Sequence, residues 1–372
     1  MGMGSGFSRV PAMHDRAVEF WTLRLMLPGV AVRWARQAED EGWDGIAVGD
    51  SQNIAADPYA ELALAASVTS RVALGTAVTN PVTRHPAVTA AAIATVQGES
   101  SGRAVLGIGR GDSALAHLGL SPAPVGVFAR YVDRVQRYLR GDSVGFDVEA
   151  DGAGQVGSSD ALGMAGGPGA SRLEWLPAGL PKVPVDVYAT GPRVIAVAAR
   201  LADRVTFAIG SDATRVRWAA EVARAARIDA GLDPNGQPMG VFVPVVVHPD
   251  RAKARALAAG GVASFARFSV MHGSVMGPVD DAQRPALEAI HAAYDMTNHF
   301  AHGSSQSAAV TDEIIDSFGI AGPPSYCIER LAELAEIGVS RIVIQAGIAG
   351  PYSDEMRTSR RLLVDEVLPA LR

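Results

Sequence analysis

Residues 107–113 read Gly-Ile-Gly-Arg-Gly-Asp-Ser, at the end of an apolar run that starts at Ala104. Glycines let a backbone approach a flat ring or a phosphate closely. Arg110 is then able to pair with phosphate or to sit in a structural salt bridge. Asp112 either caps a following helix or acts on a substrate. The pattern is not a dinucleotide fingerprint. That motif needs G-x-G-x-x-G opening a helix and an acidic residue about twenty positions on, at the end of the next strand. Asp133, at that distance, falls in a helical pattern instead.

Two further stretches have the same character. In Ala189-Thr190-Gly191-Pro192-Arg193, Pro192 suits a first helical position because its missing N–H has no intrahelical partner. Gly191, the free N–H groups of Arg193 and Val194 and the Arg193 side chain would make an anion site on the helix dipole, unless this is an ordinary capped helix. Gly49-Asp50-Ser51 puts an acid and a hydroxyl at another strand end, where Asp50 either serves the site or caps a loop. The eight histidines make no H-E-x-x-H, and His299 and His302 have no evident third ligand, so a structural role is favoured over a metal. The G-x-S-x-G pattern at 98–102 and at 141–145 follows a helical stretch each time and not a strand, so neither is a nucleophile elbow, and there is no P-loop. Polar groups without an acid–base–nucleophile set point to a cofactor that carries the hard chemistry.

Strand and helix patterns alternate along the chain. Short apolar runs at 17–25, 45–50, 72–78, 104–109, 184–190, 204–209, 240–247 and 341–346 read as eight strands. Being apolar on both faces, they suit a parallel sheet covered by helices. Helical periodicity follows most of them, at 31–41, 58–70, 86–97, 125–140, 192–202, 213–231, 250–268, 325–338 and 354–371. Eight such units predict one α/β domain over 1–372, a (β/α)8 TIM barrel, with a doubly wound sheet as the competing topology. A barrel of this kind takes about 250 residues. The surplus is expected in insertions at the barrel mouth, 141–183 and 270–323, and in a flexible start, 1–14. Catalytic groups belong at the C-terminal strand ends, and those are the ends rich in Gly, Thr, Ser, Asp and Arg. The opposite ends are plainer.

Composition narrows the class. The chain has 372 residues, 48% of them hydrophobic, and a formal net charge of -6. No Lys/Arg cluster stands out, which argues against a nucleic-acid surface. Cys327 is the only cysteine, so no disulfide framework exists. No apolar run reaches the eighteen or so residues of a membrane span. A small-molecule enzyme of the cytoplasm is the expectation.

The stretch GTAVTNPVTRHPAVTAAAIATV (75–96), with SSGRAVLGIGRGD (100–112) and FGIAGPPSYCIERLAELAEIGVSRIVI (318–344), resembles the luciferase-like superfamily of flavin and deazaflavin enzymes. It is most similar to the methylenetetrahydromethanopterin reductase branch, which uses the 8-hydroxy-5-deazaflavin coenzyme F-420. The resemblance implies hydride transfer between F-420 and a small organic substrate, in a barrel that is often a homodimer, with the tricyclic ring at the mouth. It implies a cis peptide at Ala77–Val78. Ala77, Val78 and Gly109, Arg110, Gly111 and Asp112 would border the ring, with Asp50, Thr76 and Ala189 at the same strand tips. Thr190 to Arg193 would hold the phosphate-bearing tail, and Asp112 or Ser51 would be proton donor or substrate anchor. Thr79 and Asn80 are near enough to help, while Arg84 and His85 would merely start a helix. The glucose-6-phosphate dehydrogenase branch carries an Asp-His pair where this chain has Asp50-Ser51, which argues against that mechanism. Arg110-Gly111 matches a luciferase pair that holds the phosphate of FMN. An FMN-dependent two-component monooxygenase is therefore the rival, and a catalytically silent flavin-binding protein the third reading.

Overall fold

The computed structural model describes residues 18–146, 162–271, 273–299, 303–346 and 354–372. The expected flexible start, 1–14, and residues 147–161 of the Gly/Ser-rich stretch lie outside the described residues. The elements run β1 (Glu19–Arg24), α1 (Ala31–Asp40), β2 (Gly45–Val48), α2 (Pro58–Ala66), β3 (Ala73–Thr76), α3 (Pro86–Glu99), β4 (Ala104–Ile108), α4 (Ser113–Ala116) and α5 (Val125–Leu139). The second half runs β5 (Val185–Ala189), α6 (Pro192–Leu201), β6 (Arg204–Phe207), α7 (Ala213–Asp229), β7 (Met239–Val247), α8 (Arg251–Phe268), α9 (Arg284–Ala292), α10 (Ser305–Ala308), α11 (Asp312–Phe318), β8 (Ile320–Gly322), α12 (Pro324–Glu336), β9 (Val339–Gln345) and α13 (Asp354–Leu362). All strand pairs are parallel. Strands β1 to β6, β7 and β9 close a TIM barrel of eight strands, because β7 pairs with both β6 and β9, and β9 pairs with β1. Among the described residues no helix is long and apolar enough to cross a membrane.

The strand alternation sorts side chains into two layers. Outward residues such as Leu74, Val187, Ala189 and Phe207 join the large core shared with the surrounding helices. Inward residues form a smaller cluster that includes Trp21, Ala47, Ala77, Tyr188 and Phe242. Trp21 fills the barrel floor because its neighbours have no side chain there. A Cβ on Gly45 would lie 2.2 Å from the indole, and one on Gly75 2.8 Å. Beside it Arg341 bridges Glu19 (2.7 Å) and the buried Asp186 (3.2 Å), so the floor ends in a compensated ionic cluster.

Two expectations about the surplus need correction. The described parts of 141–183 join the end of α5 to the start of β5, so they lie at the floor end and not at the mouth. Pro181 accepts a hydrogen bond from Gln97 near the end of α3, and none of the segment lines the mouth cavity. The second correction concerns α8, read above as one of the outer helices. It packs instead in a separate core with Val246 of β7, Leu287 of α9 and Ile314 of α11. The cause lies in β7, which outruns the barrel. Up to Pro244 it pairs with β9, and from Val245 it pairs with the short β8, which the sequence pattern missed. The described residues from α8 to α11 thus form a cap over the mouth, and α12 takes the place of the missing outer helix.

Candidate active site

A cavity of about 210 Å³ opens at the C-terminal ends of the strands, lined mainly by apolar surface. Twelve of the expected site residues line it: Asp50, Ser51, Ala77, Val78, Gly109 to Asp112 and Thr190 to Arg193. Thr76 and Ala189 do not. Both point outward by the strand alternation. Thr76 donates to the Gly107 carbonyl (2.7 Å), and Ala189 is fully buried in the helix-facing core. The register itself could have excluded them.

The wall at β3 and β4 is built from small groups. The Ala77–Val78 peptide bond is cis. Gly111 has φ +89°, a conformation that favours glycine, and a Cβ there would strike Leu115 at 2.5 Å. Behind this wall Asp50 is held at the end of β2. Its Oδ2 accepts from Thr79 Oγ1 (2.7 Å) and Arg84 Nη1 (2.5 Å), and Arg84 Nη2 reaches Asp57 (2.6 Å). Arg84 therefore does more than open α3. His85 does cap that helix, its ring accepting from Ala87 N–H (3.1 Å). Asn80 lines the cavity, its Oδ1 taken by Val82 and Thr83. Its buried Nδ2 has no partner among the described residues, and a buried amide donor normally has one.

One end of the cavity suits an anion. Gly191 caps α6 without a side-chain bond, and Val194 N–H turns back to the Gly191 carbonyl (3.1 Å), which leaves Arg193 N–H to face outward. The expectation of two free N–H groups is thereby reduced to one. Arg110 donates from Nε to the Ala123 carbonyl (2.6 Å). Burial, and then the positive charge of Arg193, lowers its pKa from the usual arginine value. Among the described residues neither guanidinium has a carboxylate partner, so a helix start and two cations converge without compensation.

The other end belongs to the cap. Asp112 makes no side-chain cap for α4. Both its oxygens accept from Arg267 of α8, at 2.5 and 2.9 Å. Arg267 lies over the Tyr294 ring, 4.5 Å from the centroid, and the Tyr294 hydroxyl meets His299 Nδ1 at 2.5 Å. His299, Met271, Met276 and Phe268 complete the lining and were not anticipated. Their signal was weak because they sit in or beside the irregular segment 270–320. Burial pulls the His299 pKa down to about 4. His302 lies outside the described residues. Ser51 Oγ faces Ser113 Oγ at 3.4 Å.

Comparison with known proteins follows this geometry. A family model described as luciferase-like monooxygenase matches residues 15–341. The 5,10-methylenetetrahydromethanopterin reductase of Archaeoglobus fulgidus is 32% identical over 351 residues, covering 91% of this chain and 95% of that protein. The F420-dependent glucose-6-phosphate dehydrogenase of Beutenbergia cavernae is 26% identical over 350 residues, covering 90% and 91%. The solved coenzyme F420-dependent tetrahydromethanopterin reductase of Methanopyrus kandleri superposes with a TM-score of 0.73 at 22% identity, covering 96% of this chain and all of that one.

Proposed function

The chain belongs to the luciferase-like monooxygenase family, and from that premise we propose that it is an oxidoreductase that moves a hydride between coenzyme F-420 and a small organic substrate. The observation that carries the reading is the pairing of an apolar slot with an uncompensated anion end, Arg110 and Arg193 at the start of α6. The residues fit the group. Ala77, Val78, Gly109 and Gly111 border the ring, and the unpartnered Asn80 Nδ2 offers it a donor. Arg110, Arg193 and the Arg193 N–H hold the phosphate-bearing tail. When bound, the deazaflavin supplies the carbon that takes or gives the hydride.

The chain's own residues then orient and desolvate. Tyr188 and Phe242 close the cavity from below, and the cap over the mouth limits water. Asp112, with both oxygens occupied by Arg267, serves as an anchor rather than as a proton donor. Ser51 is left as a substrate-facing hydroxyl beside Ser113. An FMN monooxygenase reading draws on Arg110-Gly111, since that pair would serve an FMN phosphate equally well, and on the description of the family model. Relatives named for F420 align with nearly the whole chain, which favours the deazaflavin. A homodimer in the cytoplasm is part of the proposal by family resemblance.

The test is turnover. Purified protein is mixed without oxygen with oxidised F-420 and candidate donors, or with reduced F-420 and candidate acceptors, and the deazaflavin absorbance is followed. The reading expects F-420 to be reduced or oxidised with some member of the panel. Oxygen consumption with reduced FMN, and none of the F-420 changes, would contradict it.

A further inference from the structure

The barrel interior carries one polar hydrogen that the fold leaves unspent. Inward positions alternate along a strand, so β5 and its tip send Asp186, Tyr188 and Thr190 to successive layers from floor to mouth. Tyr188 leans from β5 over β4. A Cβ on Gly107 would lie 3.1 Å from Tyr188 Cε2, so the glycine makes room for the ring. The same ring meets Phe242 edge-on, with centroids 5.7 Å apart. Two side chains of the inner apolar cluster carry a polar atom, Trp21 and Tyr188. Trp21 Nε1 donates to Glu19 (3.1 Å). The Tyr188 hydroxyl has no hydrogen-bond partner among the described residues, although the residue lines the cavity and is only 8% exposed. A buried hydroxyl normally has a partner. Asp186, one layer below, gives its Oδ2 to Thr206 (2.9 Å) and Arg341 (3.2 Å) instead. Burial, and then the charge of Asp186, push the phenol above its usual pKa, so it keeps its proton.

We infer that Tyr188 donates a hydrogen bond to the C2 carbonyl of the deazaflavin ring and thereby favours the reduced cofactor. The inference rests on the F-420 reading. The tail leaves the tricycle at N10, and the carbonyl on that long edge is C2. The tail is proposed to sit at Arg193, at the start of α6, which the β5 tip leads into. Tyr188 lies on the same strand one layer deeper, so the tail-bearing edge is the one it meets. Ring atoms packed against Tyr188 have no other polar side chain of the inner cluster to bond. Hydride transfer then sharpens the preference. The substrate's C–H bond breaks with its electron pair, and a C–H bond forms at C5 of the ring. The negative charge this leaves spreads over N1 and the C2 oxygen. Tyr188 keeps its hydrogen throughout. Its bond strengthens, because a donor holds an anionic acceptor more tightly than a neutral one. Such a group tunes the cofactor's electronics and takes no part in bond making.

The experiment compares wild type with Tyr188→Phe, which keeps the ring over Gly107 and beside Phe242. Thermal unfolding is followed without ligand. Affinity for oxidised and for reduced F-420 is measured by equilibrium dialysis without oxygen, and the potential of the bound cofactor by equilibration with a reference dye. Removing a buried hydroxyl that has no partner should leave the unfolding midpoint unchanged or raised. Affinity should fall about threefold for oxidised F-420 and about 30-fold for reduced F-420, as for a neutral and a charged acceptor. That tenfold difference lowers the bound potential by about 30 mV for a two-electron couple. Unchanged affinities, equal losses in the two redox states, or an effect confined to substrate KM overturn this inference alone. So does a fall in the unfolding midpoint with the potential unmoved, which would make Tyr188 a packing residue. A wild type that does not bind F-420 overturns the cofactor reading and this inference with it.

Discussion

Asp50 and Arg84 are 34 positions apart in the chain and 2.5 Å apart at the barrel mouth, where one guanidinium joins Asp50 of the β2 tip to Asp57, the cap of α2. The Asp50 side chain is only 2% exposed. Removing one member of a buried pair leaves the other charge uncompensated and costs about 3–5 kcal/mol. Arg84→Met should therefore lower stability by about that amount in urea denaturation, and Asp50→Asn on that background should recover part of it. If Arg84→Met unfolds at the wild-type midpoint, the pair does not organise the mouth.

Gly191→Asp separates stability from binding. Gly191 has φ −144°, open to any residue, and a Cβ there meets Met276 Cε at an ordinary 3.7 Å. An aspartate at this N-cap should hold or raise thermal stability, because it satisfies N–H groups at the start of α6. The same carboxylate puts a negative charge where the tail's phosphate is proposed to sit. F-420 affinity should fall at least about 100-fold, by the charge-assisted bonds it displaces. Equal losses of stability and binding would mean that the variant damages the fold and not the anion site.

Arg215 fastens the cap to the barrel through carbonyls and a hydroxyl, with no carboxylate in hydrogen-bond contact among the described residues. It donates to the carbonyls of Ile209 (3.0 Å), Pro278 (2.6 Å) and Met276 (3.2 Å) and to Ser269 Oγ (2.7 Å). Burial lowers its pKa to about 10. Arg215→Met strands those acceptors, and a cost of about 3 kcal/mol is expected. Since Met276 lines the cavity, substrate KM should rise several-fold, a change that steady-state kinetics would detect.

The acid side of stability should carry the mark of His299. Its folded pKa is about 4 against an ordinary 6.5, so the unfolded chain takes up the proton first as pH falls. Stability is therefore lost between about pH 6.5 and 4, and this contribution is flat below that. In His299→Gln the pH dependence of the denaturation midpoint should be shallower in that window. An identical slope would mean that the ring is not buried neutral.

Much of this was legible in the residues, and what escaped had a physical reason. Eight apolar runs gave away the barrel, since strands buried on both faces cannot afford polar alternation. The polar tips at Asp50, Arg110 and Arg193 marked the mouth for the same reason: such groups do not accumulate at a plain strand end. Arg84 was misread because its partner is remote in sequence and only the closed barrel brings them together. The place of the described parts of 141–183 could have been found from chain direction alone, as a segment between a helix and the next strand returns at the floor. Pro244 was the overlooked signal for the cap. A proline inside a strand marks irregular pairing, and here β7 changes partners at that residue. The network from Asp112 to His299 depends on side chains from α8 and the irregular segment meeting the Gly-rich loop, which no local pattern encodes.

The most direct test of the central claim is a side-by-side titration of one ligand-free preparation with coenzyme F-420 and with FMN, followed by competition between them. The account predicts that F-420 binds, that FMN does not displace it at equal concentration, and that Arg110→Ala with Arg193→Ala abolishes most of the affinity while the fold persists. FMN displacing F-420, or F-420 affinity untouched by loss of both arginines, would contradict it.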